Sequence, residues 1–561
     1  MKKTGRFHFD LKWILILLIL AFLLVFLVLP MLYLLYRVFF ADGTFSLDAV
    51  KRIYTYSLNW TCILNTLITA SLSMVFGVLI AFPLAWLVTR TNLYGRGIFR
   101  SVFLMTYMVP PYVGAMAWIR LLNPKVGTVN TVLMQMFGLS EAPFDIYTIG
   151  GMVWVLTTFY YPFAFITLCR ALEHMDPSLE EASRISGASP VKTLFHVTLP
   201  MMLPSIGASA IMVFIAAASC YGIPSIIGAP GKLYTVTTRI AEYVATGTQS
   251  GLTDATVLSV FLMLMSLLLL FVSNVVIGKR DRITISGKSV RPNIVDLRGW
   301  RIPLTILTGL FAVIVVVIPF LSVIATSFTQ NMGKSVFAEG NMTFKFWQNV
   351  FSRSDILKSA LNSLIAAAAA ATIGMLISIL MAYLLKRTNL KGRRIPDFLI
   401  ALGSGMPSIV IALALIMTMS GKFGINIYNT LMIMIIAYVI KYMMMGMRTV
   451  TAGFSQIGPA LEEAAAVSGA GWFRRMKDVV LPMLLPSIVA GWFLIFIPSF
   501  YELTMSNLLY SEKTQTLGVE LYLYQMNNSQ QTASALACCI LLLVLILNIV
   551  MRKVTKGKVS I

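Results

Sequence analysis

One stretch of 27 residues occurs twice in this chain. Residues 180–206 read EEASRISGASPVKTLFHVTLPMMLPSI, and residues 462–488 read EEAAAVSGAGWFRRMKDVVLPMLLPSI. The copies lie 282 positions apart, and both keep the paired glutamates, the glycine and the two Leu-Pro steps at the same spacing. A long repeat at a fixed offset indicates a duplicated chain and predicts two halves with similar folds.

A second pair of segments extends the repeat toward the N-terminus of each half. An apolar run over residues 65–93 recurs at 362–390, and both copies end in Arg-Thr-Asn-Leu, at an offset of 297 positions. The two offsets differ by 15 residues, so the first half carries an insertion. We place it in the stretch 123–145, which has no equally long counterpart after Met419.

The composition is that of an integral membrane protein. Of 561 residues, 58% are hydrophobic and 12% are charged, and the mean hydropathy is +0.83. Uncharged apolar stretches of about 18 residues or more each predict a membrane-spanning helix. We therefore predict an all-α membrane protein with about twelve spans, six in each half. The predicted spans are 13–36, 59–89, 101–119, 147–169, 201–224, 255–277, 302–327, 359–385, 398–421, 423–440, 483–501 and 532–551.

The charge distribution predicts the orientation of these spans. If the N-terminus is cytoplasmic, the cytoplasmic segments hold 31 Lys and Arg residues and the external ones hold 13, while acidic residues divide 11 and 11. Cytoplasmic loops of membrane proteins collect Lys and Arg, so both termini are predicted to be cytoplasmic. The net charge of +22 is thereby explained without a nucleic-acid partner. The twelve spans as drawn contain no Asp, Glu, Lys, Arg or His, which disfavours proton coupling.

The repeat divides the chain into two predicted domains of six spans each, residues 1–277 and residues 302–561. Because both repeats begin on the same side of the membrane, they are parallel repeats. Residues 278–301 are rich in Lys, Arg, Gly and Ser and are predicted to be a flexible connector. They include Gly287-Lys288-Ser289, but Arg282 stands where a phosphate-binding loop needs its first glycine. We expect no ATP site on this chain.

A short helix is predicted at the start of each repeated stretch. In the first, Asp176-Pro177 is a typical helix start, Glu180 and Glu181 suit the first turn, and Gly187 can end the helix in a left-handed conformation. The second follows the same pattern with Gly458-Pro459, Glu462, Glu463 and Gly469. Two amphipathic helices lying on the membrane surface are the simpler alternative.

The repeated stretch resembles the EAA loop of ABC importer permeases that are fed by binding proteins. The matching positions are Glu181, Ala182, Gly187, Leu199 and Pro200 in one copy and Glu463, Ala464, Gly469, Leu481 and Pro482 in the other. Ser183 replaces an alanine of the pattern, and Val197 and Val479 replace an isoleucine. The resemblance covers nearly the whole chain as two fused permease domains, an arrangement similar to that of ferric iron importers.

This resemblance implies a type I ABC importer permease fold, with EAA loops at 176–200 and 458–482. Each loop would form a coupling helix that docks on a separate ATPase subunit, which binds ATP and Mg²⁺, so two ATPase copies would bind one chain. A substrate-binding protein would dock on the external face. The chain itself would be a transport subunit in a bacterial inner membrane, with no catalytic residue. The coupling residues implied are Glu180, Glu181, Ala182, Gly187 and Pro200, with Glu462, Glu463, Ala464, Gly469 and Pro482.

The cargo follows less directly from the residues. Two segments look like parts of ferric iron permeases and contain the expected residues of the cargo path. One contains Tyr221, Gly222 and Pro224, and the other contains Tyr501 and Glu502. The same resemblance extends to permeases for thiamine, polyamines and 2-aminoethylphosphonate. The histidines and cysteines lack metal-ligand spacing, so no metal site is expected. An ion-coupled carrier and a membrane scaffold are the alternatives of a different class.

Overall fold

The computed structural model describes residues 11–40, 43–106, 109–278, 294–334, 338–390, 392–458 and 460–554. Most of the linker, with Gly287-Lys288-Ser289, lies outside the described residues, and so does Pro459 of the second loop. The described part is helical, and its only β-type pairings are three isolated bridges. The prediction of an all-α membrane protein is therefore confirmed.

Ten described helices are long and apolar enough to cross a membrane, and one bent helix pair raises the number to eleven if it counts as a span. The sequence predicted about twelve spans, and the described residues contain ten to eleven that meet these criteria. The ten helices are Ile14–Phe39, Ser57–Arg90, Ile149–His174, Pro190–Ala218, Gln249–Ser273, Arg298–Ser327, Ser354–Arg387, Leu431–Gln456, Trp472–Phe500 and Gln530–Met551.

Two predicted spans are broken by proline. The span predicted at 101–119 consists of the helices Arg96–Met105 and Pro111–Leu122. The span predicted at 398–421 consists of Arg394–Gly405 and Ser408–Thr418, which meet at an angle of 108°. Proline lacks an N–H and disfavours helical geometry in the residue before it, so an apolar run through Pro110 or Pro407 does not continue as one helix.

The span predicted at 423–440 is displaced along the chain. The observed helix is Leu431–Gln456, and Lys441 and Arg448 lie within it. The prediction stopped the span at the first charge, and this is also why it found no charged residue in any span. The prediction that the spans lack charged residues was therefore wrong. The helix can contain Lys441 because this side chain has hydrogen-bond partners inside the protein, which the sequence does not reveal.

Four of the spanning helices contain a π-helical turn at corresponding places. In each, the turn ends two residues before a proline, and the pairs are Leu24–Val28 with Pro30, Leu194–Thr198 with Pro200, Val313–Val317 with Pro319, and Met476–Val480 with Pro482. A proline within a helix removes one hydrogen bond and crowds the carbonyl four residues earlier. A wider turn at this place lets the helix pass the proline without ending.

The chain forms two compact units, each of which is discontinuous in sequence. Unit 1 comprises residues 1–49, 353–520 and 540–561, and unit 2 comprises 50–352 and 521–539. Unit 2 contains three mutually packed helices, Ser57–Arg90, Ile149–His174 and Leu199–Ala218. The helix that opens the second half, within Arg298–Ser327, also belongs to unit 2 and packs on Pro111–Leu122.

Unit 1 repeats this arrangement with the matching elements. Its three packed helices are Ser354–Arg387, Leu431–Gln456 and Leu481–Phe500, and the N-terminal helix packs on Ser408–Thr418. Small residues permit the close packing, since a Cβ on Gly446 would lie 2.8 Å from Ile495 Cδ1. Each compact unit thus includes the first helix of the other sequence half. The division at 277 and 302 stays a prediction about the sequence repeat.

The described end of the linker is held against unit 2, although the linker was predicted to be flexible. Val295 N–H donates to Arg90 O at 2.8 Å, and the Asn92 amide donates to Asp296 Oδ1 at 2.6 Å. Asn92 Oδ1 in turn accepts the Leu297 N–H at 3.0 Å. The Arg298 N–H, followed by the Asn92 amide, lowers the pKa of the Asp296 carboxyl. Residues 294–297 therefore form an ordered attachment for the helix that follows.

Candidate functional site

The first repeated loop contains the expected short helix, Ser178–Ile185. Asp176 Oδ1 accepts the Ser178 N–H at 2.9 Å, and this hydrogen bond lowers the pKa of the Asp176 carboxyl. Glu180 and Glu181 lie in the first turn. Gly187 follows the helix with a φ of 83°, which only glycine adopts at little cost. The expected left-handed glycine is confirmed.

The second loop repeats this geometry with a different sequence. Its helix is Ala460–Val467, with Glu462 and Glu463 in the first turn, and Gly469 has a φ of 81°. The N–H groups of Ala188 and Ala470 each bond the carbonyl five residues earlier, at 3.1 Å and 3.0 Å. This is the hydrogen-bond pattern of a helix that ends on a left-handed residue. The two loops therefore have the same local structure in units 2 and 1.

The first glutamate of each pair is bound to an arginine of the same chain. Arg90 Nη1 lies 3.5 Å from Glu180 Oε2, and Arg387 Nε lies 2.6 Å from Glu462 Oε1. Both arginines are the last residues of long spanning helices, Ser57–Arg90 and Ser354–Arg387. Each ion pair thus attaches a loop helix to the end of a spanning helix.

Each arginine also holds the start of its loop. Arg90 Nη2 donates to Met175 O at 3.3 Å, and Arg387 Nη2 donates to Ile457 O at 2.7 Å. Met175 and Ile457 lie 282 positions apart, so the two contacts correspond within the repeat. Thr198 adds a bond in the first loop only, where its hydroxyl donates to Glu180 Oε1 at 2.6 Å. Val480 stands at the matching position in the second loop and has no hydroxyl to donate.

The second glutamate of each pair has a different environment. Glu181 and Glu463 are exposed, whereas the side chain of Glu180 is buried and that of Glu462 is partly buried. The sequence grouped all four as coupling residues. The structure separates them, because Glu180 and Glu462 bind within the chain and Glu181 and Glu463 face outward.

Sequence reasoning overlooked apolar side chains that are exposed on the same loops. Ile185 is 87% exposed, and Val467, which lies 282 positions later, is 90% exposed. Leu179 and Leu461, and Val191 and Phe473, are further exposed apolar pairs at that offset. The available signal was the retention of an apolar residue at each matched position of an otherwise polar segment. Grouped exposed apolar side chains mark a candidate surface for contact with a protein or a membrane.

The remaining predicted loop residues occupy matching places. Ala182 and Ala464 are exposed on the helices. Pro200 and Pro482 are second residues of the segments Leu199–Ala218 and Leu481–Phe500, directly beyond the π-helical turns. These prolines mark where each loop continues into a spanning helix.

The predicted path residues belong to two different units. Tyr221, Gly222 and Pro224 are buried in unit 2, where the Tyr221 hydroxyl donates to the Tyr522 hydroxyl at 3.3 Å. Tyr501 and Glu502 belong to unit 1. The Glu502 carboxylate is 5% exposed and accepts the N–H groups of Met505 and Ser506, both at 2.9 Å. Glu502 is thus a buried residue whose carboxylate caps a short helix.

The described residues contain no group of three His, Cys, Asp or Glu side chains close enough to share a metal ion. The predicted site residues thus lie in the two coupling loops and in the two sets of path residues.

Residues 73–282 and 374–558 match the family model described as "Binding-protein-dependent transport system inner membrane component". The chain belongs to this family. Each match contains one of the coupling loops. The protein is therefore a multi-pass inner membrane component of a transport system that works with a binding protein.

Individual members of the family resemble the chain over most of its length. It is 26% identical to the Fe(3+)-transport system permease protein FbpB 2 of Haemophilus influenzae, over 91% of this chain and 92% of that protein. It is 27% identical to the ferric transport system permease protein FbpB of Actinobacillus pleuropneumoniae, over 82% of this chain and 66% of that protein. A bacterial alginate ABC transporter, solved with its periplasmic protein, matches 50% of this chain and 96% of its own with 20% identity and a TM-score of 0.40.

Proposed function

We propose that this chain is the membrane subunit of an ATP-driven importer for Fe³⁺ delivered by a substrate-binding protein. The duplicated coupling loop is the observation that carries the proposal. Each copy has an outward glutamate and an apolar residue on a short helix, and each helix is bound to a spanning helix by an Arg–Glu pair. Two such helices on one chain suit two copies of an ATPase subunit. The cargo rests on the names of the ferric transport permeases that the chain resembles.

The mechanism follows from how the loops are attached. ATP binding closes the two ATPase copies and moves the loop helices with them. The ion pairs at Arg90 and Arg387 transmit this movement to the spanning helices that end there. A ligand or partner shifts a conformational equilibrium only by its differential affinity for the two states. Binding of the ATPase pair in its closed form supplies this difference, while ATP and Mg²⁺ stay on the ATPase.

The transport system is tested by reconstitution. Proteoliposomes contain the chain with or without its ATPase, and the binding protein is added loaded with radioactive Fe³⁺. Uptake requires both partners and ATP. An autonomous carrier transports without them, and a scaffold never transports. A binding protein that ignores Fe³⁺ and binds thiamine, a polyamine or an aminophosphonate changes the cargo and leaves the mechanism in place.

The first prediction concerns orientation. We expect both termini, the linker and both coupling loops to lie in the cytoplasm, as the distribution of Lys and Arg favours. Single cysteines at Ser289 and Ser140, in a background without the five native cysteines, are labelled with a membrane-impermeant reagent. Only the cysteine at 140 is expected to react from outside. Labelling of both positions in intact cells contradicts this topology.

The second prediction concerns the outward glutamates. If Glu181 and Glu463 meet basic groups of the ATPase, the double replacement by Lys places like charges together. A charge-assisted hydrogen bond contributes about 1.5–3 kcal/mol, so ATPase co-purification should fall by roughly tenfold or more at each site. Exposed Glu141, which lies outside the coupling loops, serves as the control for a Glu-to-Lys change. Full uptake and full co-purification in the double variant contradict the role of these glutamates.

A further inference from the structure

Lys441 lies near the middle of a spanning helix. It is the eleventh of the 26 residues of Leu431–Gln456, so ten residues separate it from the start of the helix. At a rise of about 1.5 Å per residue this is about 15 Å, or half the thickness of the hydrocarbon core. An ionisable side chain at this depth is costly and is by default a candidate for function.

The Lys441 ammonium binds the end of a broken helix. Its Nζ donates to Ser404 O at 3.0 Å and to Met406 O at 2.6 Å. These carbonyls lie at the 108° bend between Arg394–Gly405 and Ser408–Thr418. The last carbonyls of a helix have no partner within it, and they carry the negative end of its dipole. In a membrane they require another donor, which the lysine supplies.

A carboxylate terminates another irregular segment beside the same helix. Glu502 caps the short helix Ser506–Leu509, and the Ser506 hydroxyl is 2.6 Å from the Tyr438 hydroxyl. Tyr438 precedes Lys441 by three residues, which places both on one face of Leu431–Gln456. All of these residues belong to unit 1. We call this group the polar centre. It comprises Lys441, Glu502, Ser506 and Tyr438, with the carbonyls of Ser404 and Met406.

The polar centre has no equivalent in the first half of the chain. At the offset of 282, Phe159 stands in place of Lys441, and Leu156 stands in place of Tyr438. Phe159 packs so closely on Gly114 that a Cβ there would lie 1.8 Å from its ring. The first half therefore fills this position with an aromatic ring, while the second half has a charge bound to two carbonyls. A lysine at membrane depth that occurs in only one of the two halves indicates a role that the shared fold does not require.

We propose that Lys441 is a positioning residue for transport, which holds the helix break at Met406-Pro407 open where the break lines the path of the cargo. The inference rests on the proposed function as an importer. Irregular backbone at membrane depth occurs where it is enclosed by protein or lines a water-filled cavity. Met406 and Pro407 are themselves buried. The half-buried Lys441 side chain and the partly exposed Ser404 nevertheless leave one face of the break that is not enclosed by protein, which favours the second case. Loss of the ammonium frees both carbonyls, so the break closes or changes its angle.

The test compares three replacements of Lys441 in the reconstituted complex. Lys441→Met removes the donors, Lys441→Gln keeps donors without charge, and Lys441→Arg keeps both. Arg448→Met is the matched control, since Arg448 lies on the same helix and its exposed side chain pairs with Asp397 at 3.4 Å. The readout is the number of cargo ions transported per ATP hydrolysed, together with ATPase activity stimulated by the binding protein.

Lys441→Met is expected to lower the transport per ATP by about tenfold or more, as loss of two bonds to a charged group implies. Its stimulated ATPase activity persists, Lys441→Arg restores coupling, and the control resembles the wild type. A merely structural lysine would lower transport and ATPase activity together, and this result overturns the inference. An unchanged ratio overturns it as well. If the wild type shows no ATP-dependent transport of any ligand, the proposed importer function fails instead.

A second measurement uses a protein in which Lys441 is not replaced. Ser404→Cys, in a background without native cysteines, is exposed to a small water-soluble thiol reagent in the nucleotide-free and ATP-trapped complexes. We expect labelling in one state and at least severalfold slower labelling in the other, because the break lines a path with alternating access. A cysteine at 404 that stays unreactive in both states overturns the inference, even if every Lys441 variant fails to fold.

Discussion

Replacement of Ile185 and Val467 together by Ser is expected to weaken assembly of the chain with its ATPase strongly. Both side chains are almost fully exposed in the isolated chain, at 87% and 90%, so their apolar surface remains available for a partner. Burial of one such side chain contributes about 1.5–3 kcal/mol. Each ATPase copy should therefore bind roughly 10- to 150-fold more weakly. Co-purification and ATP-driven uptake measure the effect.

The matched control for this double variant is Met136→Ser with Phe137→Ser. These side chains are 71% and 67% exposed, but they lie in the inserted segment that only the first half contains. The control should assemble with the ATPase like the wild type. Equal loss of assembly in both variants would indicate a general effect on solubility, and normal assembly of the Ile185/Val467 variant would contradict the docking surface. Single variants should retain one bound ATPase copy.

Replacement of Arg90 by Met is expected to unfold the first coupling loop while the second stays intact. The Arg90 and Glu180 side chains are 1% and 9% exposed, so the change leaves a buried carboxylate without its cation. Breaking a buried pair by removing one partner costs about 3–5 kcal/mol. Hydrogen exchange of the amides in residues 178–188 should accelerate by a factor of a hundred or more, at about 1.4 kcal/mol per tenfold. Residues 460–470 provide the internal reference.

Two further variants separate the lost bond from the unpaired charge. Arg90→Met with Glu180→Gln removes both charges and should restore much of the protection, because the neutral amide is less costly to bury. Arg387→Met is the matched change in unit 1, where both partners are 14% exposed, and its effect on the second loop should be smaller. Unchanged exchange of residues 178–188 in Arg90→Met would contradict the attachment of loop to helix.

The insertion in the first half could be detected from the sequence, but its structure could not. The 15-residue difference between the two repeat offsets places extra residues after Leu122. The structure forms them into the helix Thr128–Phe137 and holds it through Asn130, whose side chain bonds the carbonyls of Asn123 and Phe144. Comparison of the two repeat offsets reveals the insertion. The hydrogen bonds from the Asn130 amide to carbonyls elsewhere in the sequence are visible only in the folded structure.

The membrane class, the duplication and the shape of both coupling loops were determined by the sequence alone. These features depend on neighbouring residues: an apolar run, a glutamate in a first turn, or a left-handed glycine acts within a few positions of its own place. The number of spans was less accessible, because a helix can pass a charge such as Lys441 or bend at a proline such as Pro407 when other segments supply the missing partners.

Only the tertiary structure decided which glutamates remain available to a partner. Arg90 and Glu180 are 90 positions apart, and no local pattern shows that one neutralises the other. The same holds for the first helix of each sequence half, which joins the compact unit of the other half. A buried charge is stable only beside its counter-charge, and folding brings together two charges that are far apart in the sequence.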